Sequence, residues 1–352
     1  MSPARRRSGR GSGCRKYARS LLTILIFAIL FAVAGAFFFW RALTTPYRGF
    51  TAPKVQVEVR KGWTSATILE QMRKHGVLRD DFMPLVYLKS LRRGASLKAG
   101  VYEFSGSLSA IGVLEKLIAG DVILKSVTVR EGLDRFAIGE LMAAEGFGTA
   151  EQWRSATGSG ELVADIDSEA ESLEGYLFPD TYKLTPGSPV KAIVALMVQN
   201  FRKNFGGELA YLGSGLDLHD TVTLASIVET EARVPAERPM IASVYLNRIK
   251  RNMPLQADPT VIYAMKLAGT WGGNIRKADL RADAPYNTYV RRGFPPGPIA
   301  NPGLASLKAA ANPARTEYLY FVSRNDGTHV FAKDLAEHNR NVVMHQKRGR
   351  KK

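Results

Sequence analysis

The chain has 352 residues, 45% of them hydrophobic, and a single cysteine: ample apolar material for two or three packed domains, and no basis for a disulfide framework or a thiolate metal site. The formal net charge of +17 suggests nucleic acid until it is apportioned: seven positive residues (Arg5, Arg6, Arg7, Arg10, Arg15, Lys16, Arg19) precede an apolar segment, five (Lys347, Arg348, Arg350, Lys351, Lys352) end the chain, and the body keeps +5. Without an aromatic-rich basic motif, nucleic acid is excluded as a partner.

Residues 1–20 read as a basic cytoplasmic tail. Leu21 to Trp40 follow as 20 mostly apolar residues without charge, long enough for a helix to cross a hydrocarbon core of about 30 Å. The basic flank predicts a cytoplasmic N-terminus and export of everything after Trp40. Ala32-Val33-Ala34 resembles a signal-peptide cleavage site. The apolar run nevertheless continues through Phe37-Phe38-Phe39-Trp40, which suits an aromatic membrane boundary and favours a retained anchor. Cys14 precedes the span, so no cysteine follows it for lipid attachment. Residues 41–54, with Pro46, Gly49 and Pro53, read as a linker.

The chain then repeats itself. Residues 57–76 match 127–146 at a constant offset of 70, with identities at Val57/Val127, Val59/Val129, Arg60/Arg130, Gly62/Gly132, Ile68/Ile138, Glu70/Glu140, Met72/Met142 and Gly76/Gly146. Each copy alternates apolar residues, turns at a glycine, then shows helical periodicity ending in glycine, a strand-turn-helix pattern. A second helix at 80–91 and a strand at 100–104 complete the first copy; a helix at 149–156 and an extended segment at 176–184 complete the second. The order strand-helix-helix-strand over residues 55–185 resembles the LysM glycan-binding module, although the same repeat serves equally well as a scaffold.

From 186 to 346 the expectation is a mixed α+β domain, followed by a basic tail at 347–352. Helices are predicted at 190–205, 220–232 and 237–248, the last with Ile241, Val244, Tyr245 and Ile249 as an apolar stripe. Asp258-Pro259 and Asn301-Pro302 predict capped helix starts. Asn325-Asp326-Gly327 between 318–323 and 328–332 predicts a hairpin, and a helix of about ten residues from Asp334 closes the domain.

Within the 220–232 helix, Glu229 is the most informative residue. At about 100° per residue, Val222, Ala225, Ser226, Ala232 and Arg233 share its face, small neighbours that suggest a cleft, while Glu231 points about 200° away. An ordinary solvated glutamate is the alternative. No Gly-x-Ser-x-Gly elbow, phosphate-binding loop or His-Glu-x-x-His occurs, and His75, His219, His329, His338 and His345 lack zinc spacing, so no metal or cofactor is expected. Three proline-bounded polar runs could position binding groups: Glu174 to Tyr182, Leu255 to Thr260, and Pro285 to Tyr289. Their bland readings are Asp180 as a turn former, Asp258 as a helix cap, and Tyr286 or Tyr289 as core aromatics.

Taken in order, Ala225-Ser-Ile-Val-Glu-Thr-Glu231, Glu174-Gly175, Phe178-Pro-Asp-Thr-Tyr182, Asp258-Pro-Thr-Val-Ile-Tyr263, Tyr286-Asn-Thr-Tyr289, Pro295-Pro-Gly-Pro-Ile299, Tyr318-Leu-Tyr-Phe-Val322 and His338-Asn339 resemble the endolytic murein transglycosylases of the MltG or YceG-like family. The chain departs slightly at Ala257 and Ala284, where the family often carries a hydroxyl residue. The resemblance implies an inner-membrane, single-pass enzyme with a periplasmic catalytic domain, cleaving nascent peptidoglycan strands and partnered by wall-synthesis machinery including penicillin-binding proteins. It makes Glu229 the catalytic acid. Gln256, Asn287, Thr288 and Tyr289 are expected to contact sugar, since amides and hydroxyls can bond glycan hydroxyls and aromatics can cover sugar faces. A non-catalytic peptidoglycan-binding scaffold, or a hydrolytic muramidase using Asp258 or another distant carboxylate, are the alternatives.

Overall fold

The computed structural model describes residues 12–92, 95–206 and 213–347, with side chains from Ser20 to Gln346. Residues 1–11 of the expected N-terminal basic tail and 348–352 of the C-terminal one lie outside the described residues. The chain divides into two compact units, 1–123 and 124–352, both mixed α+β.

The first unit begins with α1 (Ser12–Thr44), of which Ser20–Thr44 is long and apolar enough to cross a membrane. Its apolar side chains from Leu21 to Trp40 are largely exposed. Then come β1 (Lys54–Val59), α2 (Ser65–Lys74), α3 (Met83–Ser90), β2 (Gly100–Ser105) and α4 (Ala110–Ala119). β1 and β2 pair antiparallel, Lys54 opposite Ser105 and Val59 opposite Gly100. Val57, Val59, Ile68, Met72, Tyr102 and Phe104 bury one face. Sequence patterning missed α4, although both its end signals are present: Ser109 accepts from the Gly112 amide, and Gly120 takes φ 74°. It adds Val113, Leu114 and Leu117 to the core. Nor is the expected linker free chain, because Tyr47 exchanges backbone hydrogen bonds with Leu108 and the Gly49 amide donates to Gly76.

The second unit repeats the order: β3 (Lys125–Thr128), α5 (Arg135–Ala144), α6 (Ala150–Thr157) and β4 (Thr181–Leu184), with β3 antiparallel to β4. The repeated glycines have a backbone cause. Gly62 and Gly132 turn the chain at φ 91° and 78°, and Gly76 and Gly146 end helices at 70° and 83°, values that a Cβ disfavours. Two residues after the first glycine of each pair, Thr64 and Asp134 cap α2 and α5. The expected extended segment at 176–184 is a strand only from Thr181.

The remaining elements are α7 (Val190–Phe205), α8 (Leu218–Glu231), α9 (Arg238–Lys250), α10 (Asp258–Leu267), α11 (Leu304–Ala311), the hairpin β5 (Tyr320–Ser323) and β6 (His329–Ala332), and α12 (Leu335–Val342). Val127, Val129, Ile138, Met142, Trp153 and Tyr182 from the second repeat copy share one core with Phe201, Val222, Ile241 and Leu307. The compact units therefore part between Ile123 and Leu124, not at the boundary expected at 185: a small βααβ element leaves an apolar face that the helices α7 to α11 cover.

Two expected helix caps take other roles. Asp258 is the first residue of α10, capped by no side chain, and accepts from the Tyr289 hydroxyl at 2.6 Å. Asn301 is fully buried, and α11 starts after Gly303. Its Oδ1 accepts from the Leu177 amide at 2.9 Å, and its Nδ2 donates to the Leu133 carbonyl at 3.0 Å and to Glu174 at 2.7 Å. Its backbone carbonyl accepts from Gly132 at 2.9 Å. Asn301 thus ties the 130s loop, the 174–177 loop and the approach to α11 together. Truncating it leaves buried partners unsatisfied, so Asn301→Ala should cost at least about 2 kcal/mol in thermal unfolding, whereas loss of an ordinary cap costs about 1.

Candidate active site

Helix α8 is central. Asp217 caps it by accepting from the Asp220 amide at 2.8 Å, and every residue from Leu218 to Val228 except Asp220 is buried. The small residues on the Glu229 face do not open a cleft. Ala225 and Ser226 are buried like Ala310 and Ser306 of α11, small side chains that allow close helix packing. Ser226 Oγ accepts from the Ile299 amide at 3.0 Å, and a Cβ at Gly175 would fall 2.7 Å from Val222.

Glu229 sits near the C-terminal end of α8, and its side chain is 6% exposed. A carboxylate there meets the negative end of the helix dipole and needs compensation. One oxygen accepts from Arg238 Nη2 at 3.2 Å, the other from the Gly303 amide at 3.0 Å. The 3₁₀ turn Pro235–Glu237 folds α9 back on α8 and delivers Arg238, while Gly303 stands at the N-terminal, positive end of α11. Arg238 is pinned in turn, its Nε donating to Ser306 Oγ at 2.9 Å.

A second carboxylate lies beside this pair. Glu131, just before the turn glycine of the second repeat copy, brings an oxygen to 3.9 Å from Arg238 Nη2 while its side chain stays 50% exposed. Burial and the Glu229 charge push its carboxyl above the usual range, against the pull of Arg238. Arg238, Gly303 and Glu131 escaped sequence reasoning. The available signal for Glu131 was the repeat itself, where Lys61 holds the same position in the first copy.

Glu231 points elsewhere, as its helix spacing implies. Tyr245 donates to it at 3.4 Å, and its carboxyl is pushed up to about 7 by burial and the nearby Asp258 charge, against that hydrogen bond. Of the residues expected to contact sugar, Tyr289 lies within reach of the Glu231 charge. Tyr289 donates to Asp258. Gln256 is exposed, holds φ 52°, and donates its amide to the Thr288 carbonyl at 3.1 Å. Asn287 and Thr288 are 1% and 2% exposed, and their side chains are engaged internally. Asn287 Nδ2 donates to the Asp279 and Ala282 carbonyls, and its Oδ1 accepts from the Tyr289 amide. Thr288 Oγ1 accepts from the Ala257 amide and bonds Thr260. These two fix the loop that carries Tyr289.

Cavities of about 810 and 690 Å³ occur in this unit, the first lined by Ser243, Asn247, Thr316 and Tyr318, the second by Asp134, Arg135, Lys266 and Trp271. Glu229 lines neither. Among the described residues no His, Cys, Asp and Glu group is disposed to hold a metal ion.

The chain matches the YceG-like family over residues 57–344. An endolytic murein transglycosylase of Bacillus subtilis is 32% identical, the alignment covering 88% of this chain and 89% of that protein. A protein of the same name from Streptococcus pneumoniae is 29% identical across 92% of this chain, which spans 65% of the pneumococcal length. A solved structure of a yceG-like protein from Listeria monocytogenes superposes with a TM-score of 0.55 at 30% identity, covering 82% of this chain and 99% of the other.

Behind the site, Glu174 is buried and accepts from the Arg135 amide at 3.0 Å and from Asn301. Burial raises its carboxyl from 4.5 to about 8, with Asp134 adding to the shift and the Arg135 amide opposing it. Between those values the native state keeps a proton that the unfolded chain releases, so this group makes stability fall as pH rises from 4.5 through 8. Glu174→Gln removes that dependence. Its thermal stability relative to the parent should therefore rise with pH across the window, by up to about 1.4 kcal/mol per pH unit; a constant difference would show that Glu174 titrates normally.

Proposed function

The chain belongs to the YceG-like family, and from that premise we propose that it is a membrane-anchored endolytic lytic transglycosylase that cleaves the MurNAc-GlcNAc bond of nascent peptidoglycan strands, with Glu229 as general acid and then base. Its curated relatives bear the name endolytic murein transglycosylase, and the chain is an enzyme of that class. The observation that carries the assignment of Glu229 is its carboxyl group, almost buried yet held at both oxygens by Arg238 and the Gly303 amide. That leaves further lone-pair sites on the carboxyl for a proton and a substrate contact.

In this reading protonated Glu229 gives its proton to the bridging oxygen as the bond from that oxygen to muramyl C1 breaks. The C6 hydroxyl of the same sugar then bonds to C1 and returns its proton to the Glu229 carboxylate. The acid is regenerated, no water is consumed, and a 1,6-anhydro-muramyl end remains. Such acid–base work is worth about 10² to 10⁴ in rate. Gln256 and Tyr289 face the glycan, and Asn287 and Thr288 serve it by holding their loop. Asp258, the distant second carboxylate of a muramidase reading, pairs with Tyr289 instead.

The apolar stretch Ser20–Thr44 is read as a single-pass inner-membrane anchor with a cytoplasmic N-terminus and a periplasmic catalytic unit. The two βααβ copies are read as LysM-like platforms along the strand, and penicillin-binding proteins as partners that supply it. An export-dependent reporter fused after Lys54 should be active; activity of a cytoplasm-dependent reporter there would contradict the topology.

Glu229→Gln keeps size and removes the transferable proton. In the full chain in detergent, turnover of glycan strands should drop at least about 100-fold with circular dichroism unchanged, whereas Glu231→Gln should cost far less. Equal losses from both variants with folding intact, or undiminished turnover by Glu229→Gln, would place the acid elsewhere, and no turnover by the parent itself would favour a scaffold.

A further inference from the structure

Arg238 faces two acids and can neutralise only one at a time. Its Nε is fixed on Ser306 Oγ, and its Nη2 lies 3.2 Å from Glu229 and 3.9 Å from Glu131. Arg238 is itself buried, where a cation without a partner is costly. A carboxyl that gives up and regains a proton in each turnover would strand Arg238 whenever it is protonated, unless a second carboxylate stands by.

Glu131 is built into that position. The amide of Gly132 donates to the Asn301 carbonyl, and Gly132 turns at φ 78°, which sets the Glu131 side chain against Gly303. A Cβ at Gly303 would come within 1.9 Å of the Glu131 carboxylate, and one at Gly132 within 3.6 Å of Glu229 Cγ. At Gly303 only glycine allows that approach, whereas at Gly132 it is the positive φ that calls for glycine. The strand-turn-helix unit does not itself require the charge, since the first copy carries Lys61 there. Of the other charged groups on neighbouring elements, Lys308 on α11 and Arg233 are exposed, Glu237 pairs with His329, and Asp134 with Lys266. On α8 itself, Glu231 turns to Tyr245.

We propose that Glu131 is a positioning residue of the reaction: it holds the Arg238 guanidinium while Glu229 is protonated and releases it to Glu229 once the proton has gone to the leaving oxygen. The inference rests on Glu229 being the acid. Glu131 makes no bond to sugar, and its negative charge keeps the buried guanidinium paired while Glu229 carries the proton.

The test is the pH dependence of kcat and KM on soluble uncrosslinked glycan strands, using the full chain in detergent and Glu131→Gln, Glu131→Asp and Glu229→Gln variants. Removing the neighbouring negative charge should move the alkaline limb of kcat for Glu131→Gln by about half to one pH unit toward acid. Turnover above that limb should fall by up to about tenfold, with KM nearly constant, and Glu131→Asp should restore part of the shift. An unmoved limb for Glu131→Gln overturns the proposal, as does a complete loss in both Glu131 variants with folding intact, which would make Glu131 a reacting group. Parental turnover by Glu229→Gln would instead remove the acid assignment on which the proposal rests, a failure distinguishable from the other two.

Discussion

A carboxylate at the wrong end of a helix governs this site. Glu229 lies in the last turn of a largely buried helix, where the backbone dipole is unfavourable to negative charge, so its surroundings must supply positive potential from elsewhere in the chain. Arg238 comes from the next helix, and the Gly303 amide comes from the start of α11. For that amide to reach Glu229, α8 and α11 must pack closely. The small side chains along their contact, Ala225, Ser226, Ser306 and Ala310, all buried, meet that requirement. Asn301, two residues before Gly303, locks the approach by bonding both the 130s loop and the 174–177 loop.

The same clamp explains why the second repeat copy cannot be regarded as an appendage. Its turn residues Gly132 and Leu133 hydrogen-bond to Asn301, its strand and helix side chains enter the helical core, and its Glu131 reaches Arg238. The first copy, with its own core and with α4 covering it, forms a separate unit. Two copies of one pattern have thus taken different tasks, and the replacement of Lys61 by Glu131 at equivalent positions is where that divergence touches the candidate chemistry.

Much of the fold was legible because it rests on local rules. The helix boundaries at α6 and α7, the hairpin turn at Asn325-Asp326-Gly327 and the repeat glycines follow from caps, periodicity and left-handed backbone, all set by residues close in sequence. Asn301 and Asp258 misled for the same reason: each precedes a proline as a cap would, but its partners, Leu177 and Tyr289, are remote in sequence. The small face of α8 reads in one dimension as an opening, whereas in three it is a packing surface against α11 and the Ile299 loop. Glu229 stood out because a family-like run surrounds it. The ring around it did not, since Glu131, Arg238 and Gly303 are brought together only by tertiary folding.

The central claim is that one carboxyl serves as both acid and base while the sugar supplies its own nucleophile. The most direct measurement is the mass of the new muramyl ends released by the full chain from glycan strands in water enriched in ¹⁸O. The account predicts anhydro ends about 18 Da lighter than hydrolysis products of ordinary water, with no heavy oxygen incorporated. Reducing muramyl ends that carry ¹⁸O would contradict it, because water rather than the C6 hydroxyl would then have attacked C1.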